Sequence, residues 1–409
     1  MGALNDLLRK QLNAITPVVL NENIPINQKT TLKAIPQNIQ SAVYNVVNEI
    51  LNSVSLNRES LQLKLDTLFD YQKVIFEQAD IPPALRTRQY ISNCGLVMSP
   101  ADCITTQKDV LRVNAYIKAI DQAIKDLRNK FDGKLHIVYP ACGPFAPLLL
   151  PLIAYYQQQG IYDEHQLCVS LIDMQQGATI SLEKLIQELD IAKYINGIYC
   201  QDATTFTSEL PIHMVVLEAM QHGFSREGHL SIARFFANIM EEDGAFIPED
   251  VSVRAVLTIG QEEFNEQWKV SGKALEEQHM LAEYKKNRIE LGEILRINLA
   301  SLRSLTDIVL DVNTTLIECN TLDVPPIEKN ADQQILLICT RINTYGEEYI
   351  GEYDSGITHP LPDMNVCINF EPRETRSGDL LLKSGDKLKF YYRLNGLPGF
   401  LPTWGGRDD

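Results

Sequence analysis

Glu218-Ala-Met-Gln-His-Gly-Phe-Ser-Arg-Glu227 follows the apolar run Met214-Val215-Val216-Leu217 and carries two glutamates nine positions apart on a hairpin-like loop. Two carboxylates held on one loop offer an array of acceptor lone pairs, the complement of a planar guanidinium with five N–H donors. The stretch reads as a grip for arginine at the end of a buried strand. Its plainer reading is a pair of solvated charges on a strand-to-helix loop, because Glu is seldom buried without a partner. The segments on either side of the loop decide between the two.

Upstream, a helix from Gln107 to about Leu127 leads into Leu135-His136-Ile137-Val138-Tyr139, a buried strand, then a turn and an apolar helix from Leu148 to Tyr156. A second strand, Leu167 to Ile172, ends at Asp173; a helix and the strand Gly197-Ile198-Tyr199-Cys200 lead to Asp202. The run from Met214 to Leu217, the loop and a helix through Ile232 to Met240 follow. Strands alternating with helices predict a doubly wound parallel sheet, whose ligand site lies at the carboxyl ends of its strands. The turn after the first strand, Asp173, Asp202 and the Glu218 loop all fall there.

Further out the pattern changes on both sides. Before about Leu96 it is helical: Val43, Val46, Val47, Ile50, Leu51 and Val54 share one face, and Leu61, Leu65, Leu68 and Phe69 continue a second helix. Pro82-Pro83 and the stretch from Gly95 to Pro100 punctuate its end. Beyond Pro248, Val251 to Val256 alternates as a strand should, and a charged helix is expected from about Glu262 to Leu299. Short strands then run at Ile308 to Val312, Ile335 to Ile342, Val366 to Phe370 and Lys387 to Tyr392. The expected organisation is a helical accessory domain over 1–100, an α/β domain over 101–248 and a β-barrel over 249–409 with a helical arm at about 260–300.

Composition bounds the partners. The chain has 409 residues, too many for one core, and 45% of them are hydrophobic. Lys+Arg 37 against Asp+Glu 53 gives a net charge of −16, which argues against nucleic acid or an anionic membrane and favours a basic partner. Cys94, Cys103, Cys142, Cys168, Cys200, Cys319, Cys339 and Cys367 form no CxxC pair, so they read as reduced thiols and not as a disulfide frame or metal site. No secretory leader is expected at the start, and no apolar run reaches membrane-spanning length. A cytoplasmic location is the expectation.

Four separated motifs resemble those of the protein arginine methyltransferases. The Glu218–Glu227 stretch, with Met220 two residues after the first Glu and Asp243-Gly244-Ala245-Phe246-Ile247-Pro248 further on, is similar to that family's double-glutamate loop. The segment Lys108-Asp109-Val110-Leu111-Arg112-Val113-Asn114-Ala115-Tyr116 looks like its Lys-Asp-x-x-Arg/Lys-x-x-x-Tyr helix, closest to the branch that makes symmetric dimethylarginine. Thr358-His359-Pro360-Leu361-Pro362 resembles the Thr-His loop of the family's barrel, with Pro360 where a Trp is usual. Thr106 stands where an aromatic or Met usually sets the product class. The family's donor turn is glycine-rich; here it reads Tyr139-Pro140-Ala141-Cys142-Gly143-Pro144-Phe145, with Ala141 and Phe145 at expected glycine positions.

The resemblance implies methyl transfer from S-adenosyl-L-methionine to a guanidinium nitrogen of a basic peptide or protein. It implies catalytic roles for Glu218, Glu227, His359 and Asp109, with His359 paired to Asp109. It implies donor binding by Arg112, Tyr139, Gly143, Asp173 and Asp202, and a homodimer made through the helical arm. Taken without the resemblance, Asp173 and Asp202 are helix caps and Asp109–Arg112 is a surface ion pair. Two alternatives stand beside this reading. One is a methyltransferase-like scaffold that has lost donor binding, and the other is a methyltransferase acting on a small molecule or biosynthetic peptide.

Overall fold

The computed structural model describes residues 38–263, 288–327 and 333–407. Two helices open it: α1 (Ile39–Asn52) and α2 (Arg58–Gln78), each started by an asparagine cap whose side chain accepts a backbone N–H, Asn38 from Ser41 and Asn57 from Ser60. Their apolar stripes are fully buried, Val43, Val46 and Val47 at 0% exposure, and α1 packs on α4 (Leu150–Gln159). The expected N-terminal helices are present from Asn38 onward; residues 1–37 lie outside the described residues. The Pro/Gly stretch after them holds a short hairpin, β1 (Tyr90–Ile91) paired antiparallel with β2 (Leu96–Val97).

Helix α3 (Val110–Lys130), capped by Asp109, then feeds a five-stranded parallel sheet. Its strands are β3 (Leu135–Pro140), β4 (Leu167–Asp173), β5 (Ile195–Cys200), β6 (Met214–Val216) and β7 (Ala245–Ile247), in the order β5-β4-β3-β6-β7. Every neighbouring pair is parallel. Residues in β3 and β6 are wholly buried, which explains their nearly continuous apolar runs, broken in β3 by His136: both faces are covered. Helices α5 (Gln176–Leu189) and α6 (His229–Ala237) complete the crossovers. The order reverses between β3 and β6, so the turn after β3 and the Glu218 loop after β6 flank the switch point, the place where α/β sheets bind ligands.

The C-terminal part is antiparallel. One sheet runs β13-β12-β8-β9, with β14 also on β12; the other runs β10-β11-β17-β18. Their strands are β8 (Asp250–Ile259), β9 (Ile289–Ile297), β10 (Asp307–Asp311), β11 (Thr314–Asp323), β12 (Gln334–Tyr345), β13 (Glu348–Ile350), β14 (Leu361–Asp363), β17 (Asp386–Arg393) and β18 (Gly399–Arg407). A short parallel pair, β15 (Val366–Ile368) and β16 (Leu380–Leu382), lies beside them. The sheets meet where β9 packs on β11. Thr344 Oγ1 donates to the Ala115 carbonyl at 3.3 Å and Tyr345 OH to Asp126 at 3.1 Å, fastening β12 to α3. One continuous hydrophobic core runs from α1 to β17.

The expected helix over Glu262–Leu299 is corrected at its C-terminal end. Only Gly260–Glu263 is helical before residues 264–287, which lie outside the described residues, and 289–297 is strand β9, paired with β8. Ile289-Glu290-Leu291 and Leu295-Arg296-Ile297 alternate in and out, and that period of two outweighs the helix-favouring Glu, Leu and Arg. The rest of the expected arm, residues 264–287, lies outside the described residues. The two chain ends at its root are clamped: Arg288 bonds Glu263 Oε1 at 2.5 Å and Glu352 Oε2 at 2.6 Å, and Tyr353 OH also donates to Glu263.

Candidate active site

At the carboxyl end of β4, Asp173 Oδ2 accepts the Gly143 N–H at 2.9 Å and Oδ1 accepts the Gln175 N–H at 2.8 Å. The carboxylate thereby fixes the turn that leaves β3. In that turn Gly143 has φ +67°, Ala141 φ +50° and Ala146 φ +41°. The backbone takes the left-handed form that glycine adopts freely, with alanine bearing the steric cost at two positions. Asp202, after β5, accepts from Thr204 N at 2.9 Å and Thr204 Oγ1 at 2.8 Å, capping a short 3₁₀ turn. Burial pushes the Asp173 carboxyl up to about 6.

Asp173, Asp202 and Gly143 line one crevice together with Glu227 and the β1–β2 hairpin. The hairpin lies across it. Gln175 Nε2 donates to the carbonyls of Arg88 at 2.6 Å and Met98 at 2.9 Å, one on each leg, and Leu96 N–H donates to the Arg226 carbonyl at 2.7 Å. A Cβ on Gly95 would stand 2.7 Å from the Glu227 carbonyl carbon, so only glycine lets the hairpin tip approach this closely. The remaining volume is about 100 Å³.

A second cavity of about 280 Å³ adjoins the first through Met98, Cys103, Gly143 and Glu227. Glu218, Glu227, Arg112 and Tyr139 line it. The loop that carries the glutamates turns sharply at Gly223 (φ +66°), where a Cβ would strike Leu361, and a Gln221–Ser225 bridge closes the turn. Arg112 Nη1 bonds Glu218 Oε2 at 2.8 Å and its Nη2 bonds Asp109 Oδ2 at 2.9 Å. Burial lowers the Arg112 pKa, but Glu218 and Asp109 outweigh it and hold the pKa above its ordinary value. Glu218 Oε1 is buried with no hydrogen-bond partner among the described residues. Glu227 Oε1 accepts from Gln221 Nε2 at 3.0 Å. Burial, then the Glu218 charge, pushes the Glu227 carboxyl up to about 7.

Three expectations are therefore redrawn. Glu218 and Glu227 do share a cavity. Of the expected donor residues, Gly143, Asp173 and Asp202 are brought together, whereas Arg112 and Tyr139 sit beside the glutamates, and Arg112 is an internal tie instead of an open cation. The Asp109–Arg112 pair is not a surface pair, with side chains only 15% and 11% exposed. His359 does not hydrogen-bond Asp109 among the described residues. Ser355 does, its Oγ donating to Asp109 Oδ2 at 2.5 Å, while His359 packs edge-on against Tyr353 with ring centroids 5.0 Å apart. Burial and then His222 lower the His359 pKa, outweighing Asp109, which raises it.

Ser355, Gln221 and Gln175 escaped the sequence reading. Ser355 left a signal, because Ser355-Gly356-Ile357-Thr358 forms a capping box in which Ser and Thr side chains bond each other's backbone. Among the described residues no cluster of His, Cys, Asp and Glu could hold a metal ion, and no helix is long and apolar enough to cross a membrane.

No family model and no curated protein sequence matches this chain. Among solved structures it is similar to the Trypanosoma brucei PRMT1 enzyme-prozyme heterotetrameric complex with AdoHcy, at 11% identity and TM-score 0.41, over 74% of this chain and 97% of that one. It is similar to PRMT6-SAH at 12% identity and TM-score 0.43, over 73% and 98% of the two chains. PRMT6 also aligns, at 12% identity and TM-score 0.44, over 73% and 97%.

Proposed function

We propose that this chain is an S-adenosylmethionine-dependent methyltransferase that modifies a guanidinium nitrogen of arginine in a basic protein or peptide. The observation that carries the reading is the pair Glu218 and Glu227 on one cavity at the sheet's switch point, with a buried Glu218 oxygen left unpaired among the described residues. Native structures rarely tolerate an orphaned buried acceptor without a use for it.

The donor set fits S-adenosylmethionine chemically. Asp173 and Asp202 keep lone pairs beyond their capping bonds for a ribose diol and an adenine amine. When bound, that donor supplies an electrophilic sulfonium methyl. The chain's own residues supply the rest. Arginine stays protonated at neutral pH, so Glu218 and Glu227 act by orienting the fork and drawing positive charge away from the attacking nitrogen. Fixing the nitrogen near its target turns a bimolecular encounter into an internal one. Arg112 and Asp109 brace Glu218 from behind, and His359 buttresses the pocket from the barrel side.

The domain limits 1–100, 101–248 and 249–409, and a homodimer through the expected helical arm, belong to the same reading; residues 264–287 lie outside the described residues. A cytoplasmic location is part of it, supported by eight free cysteines. A scaffold without donor binding is the second reading, favoured by the crevice of about 100 Å³ that the hairpin leaves. Incubation with methyl-labelled S-adenosylmethionine and matched arginine and lysine peptides tests the proposal: label in the arginine peptide alone supports it. Absence of calorimetric binding of the donor would favour the scaffold.

A further inference from the structure

Gln221 stands inside the grip itself. It lines the cavity of about 280 Å³, and its Nε2 reaches Glu227 Oε1 at 3.0 Å and Met98 Sδ at 3.6 Å. The Gln221–Ser225 backbone bridge, with Gln221 N donating to the Ser225 carbonyl at 3.1 Å and Ser225 N donating back at 3.3 Å, holds the side chain's root. Glu218 is restrained in a parallel way, with Oε2 on Arg112 Nη1 at 2.8 Å. Each glutamate thus has one oxygen occupied by a resident donor. Glu218 Oε1 and Glu227 Oε2 are the two that remain.

We propose that Gln221 is a positioning residue for Glu227: by holding Oε1 it fixes the carboxylate and leaves Oε2 uncontested, so a cation that bridges Glu227 Oε2 and Glu218 Oε1 meets less competition than one bound bidentately to either carboxylate. The inference rests on the proposed function for its ligand class. A guanidinium bridged by one oxygen of each carboxylate has its plane fixed by two points. A compact ammonium, with donors that rotate freely, gains less from such a fixed pair.

The amide also sets when Glu227 is charged. Burial and then Glu218 raise the Glu227 pKa, while Gln221, Arg112 and Arg226 lower it, and the Cys103 thiol lies near it on the segment before α3. Removing the Gln221 donor takes away a bond to the charged form, so Glu227 then ionises at higher pH.

The test follows carboxyl carbon-13 NMR titrations of uniformly Glu-labelled protein, with the Glu227 signal identified by its loss in Glu227→Gln. In Gln221→Met, which keeps the side chain's length, the Glu227 midpoint is expected to rise by about 1–2 pH units. Gln221→Ala serves as the second variant, with folding checked by circular dichroism. An unmoved midpoint in either folded variant overturns the proposal. In the unmodified protein, the Gln221 side-chain amide signal must shift with the same midpoint as Glu227, and an amide that ignores that titration overturns it equally. Affinity for an arginine peptide at pH 7 should fall about tenfold in Gln221→Met. If the unmodified chain binds no arginine peptide, the proposed function fails, while the titration still decides the role of Gln221.

Discussion

Ser355 Oγ donates to Asp109 Oδ2 at 2.5 Å, joining residues 246 positions apart and tying the C-terminal sheets to the cap of α3. From Asp109 the tie continues through Arg112 to Glu218. The barrel side therefore reaches the first glutamate through a serine, a carboxylate and a guanidinium in series. Charged hydrogen bonds of this kind are shorter and stronger than neutral ones.

Ser355→Ala should accordingly destabilise the fold by about 1–3 kcal/mol, the range for a lost bond that leaves a half-buried carboxylate short of a donor. It should also slow methyl transfer more than His359→Ala, which removes an edge-on aromatic contact of about 0.5–1.5 kcal/mol and no hydrogen bond to Asp109 among the described residues. Denaturant midpoints and single-turnover rates of the two variants decide the matter. A larger rate loss in His359→Ala would restore the histidine as Asp109's working partner.

Stability should depend on pH through two carboxyls. Glu227 at about 7 and Asp173 at about 6 both lie above their ordinary values of 4.5 and 3.8. The folded chain holds these protons more tightly, so their stabilisation is complete below pH 4 and is lost as pH rises through 6 and 7. Each accounts for about 2 kcal/mol after allowance for solvent screening. Urea titrations from pH 4 to 8 should show this decline, and Glu227→Gln should flatten its upper part. An identical slope in that variant would contradict the assignment.

Ala141→Gly should stabilise the chain. Ala141 holds φ +50°, which costs an L-residue about 1–2 kcal/mol, against about 0.4–1 kcal/mol for glycine's extra freedom when unfolded. A net gain of about 0.5–1 kcal/mol is expected in denaturant unfolding. A loss would mean that the Ala141 methyl packs more tightly than its left-handed backbone costs.

Donor binding should disturb the β1–β2 hairpin. The crevice of about 100 Å³ is below the roughly 300 Å³ at which ligand pockets begin, so Ser92 to Val97 must yield for S-adenosylmethionine to enter. Hydrogen exchange over this segment should change on adding the donor, and Gln175→Ala, which frees both legs, should speed association. Saturation without any change in hairpin exchange would place the donor elsewhere.

The parallel sheet was legible because its central strands are mostly apolar runs ending in turns, and the loops at their carboxyl ends already held Asp173, Asp202 and both glutamates. Strand β9 was hidden by residues that favour helix, and β18 by Gly399, Pro402, Gly405 and Gly406, which an edge strand can carry. The hairpin was read as punctuation because its strands are two residues each. Partnerships were the least visible part: Arg112 meets Glu218 across 106 positions, and nothing local in either segment marks the pairing.

The central claim is that the two glutamates grip an arginine, and the most direct measurement is the single-turnover methyl-transfer rate of Glu218→Gln beside its S-adenosylmethionine affinity. Gln keeps the size but removes the charge that compensates a buried cation, a loss worth several kcal/mol. The rate should fall by roughly a hundredfold or more, with donor affinity within about twofold of the unmodified chain. Turnover at the unmodified rate would contradict the arginine grip outright.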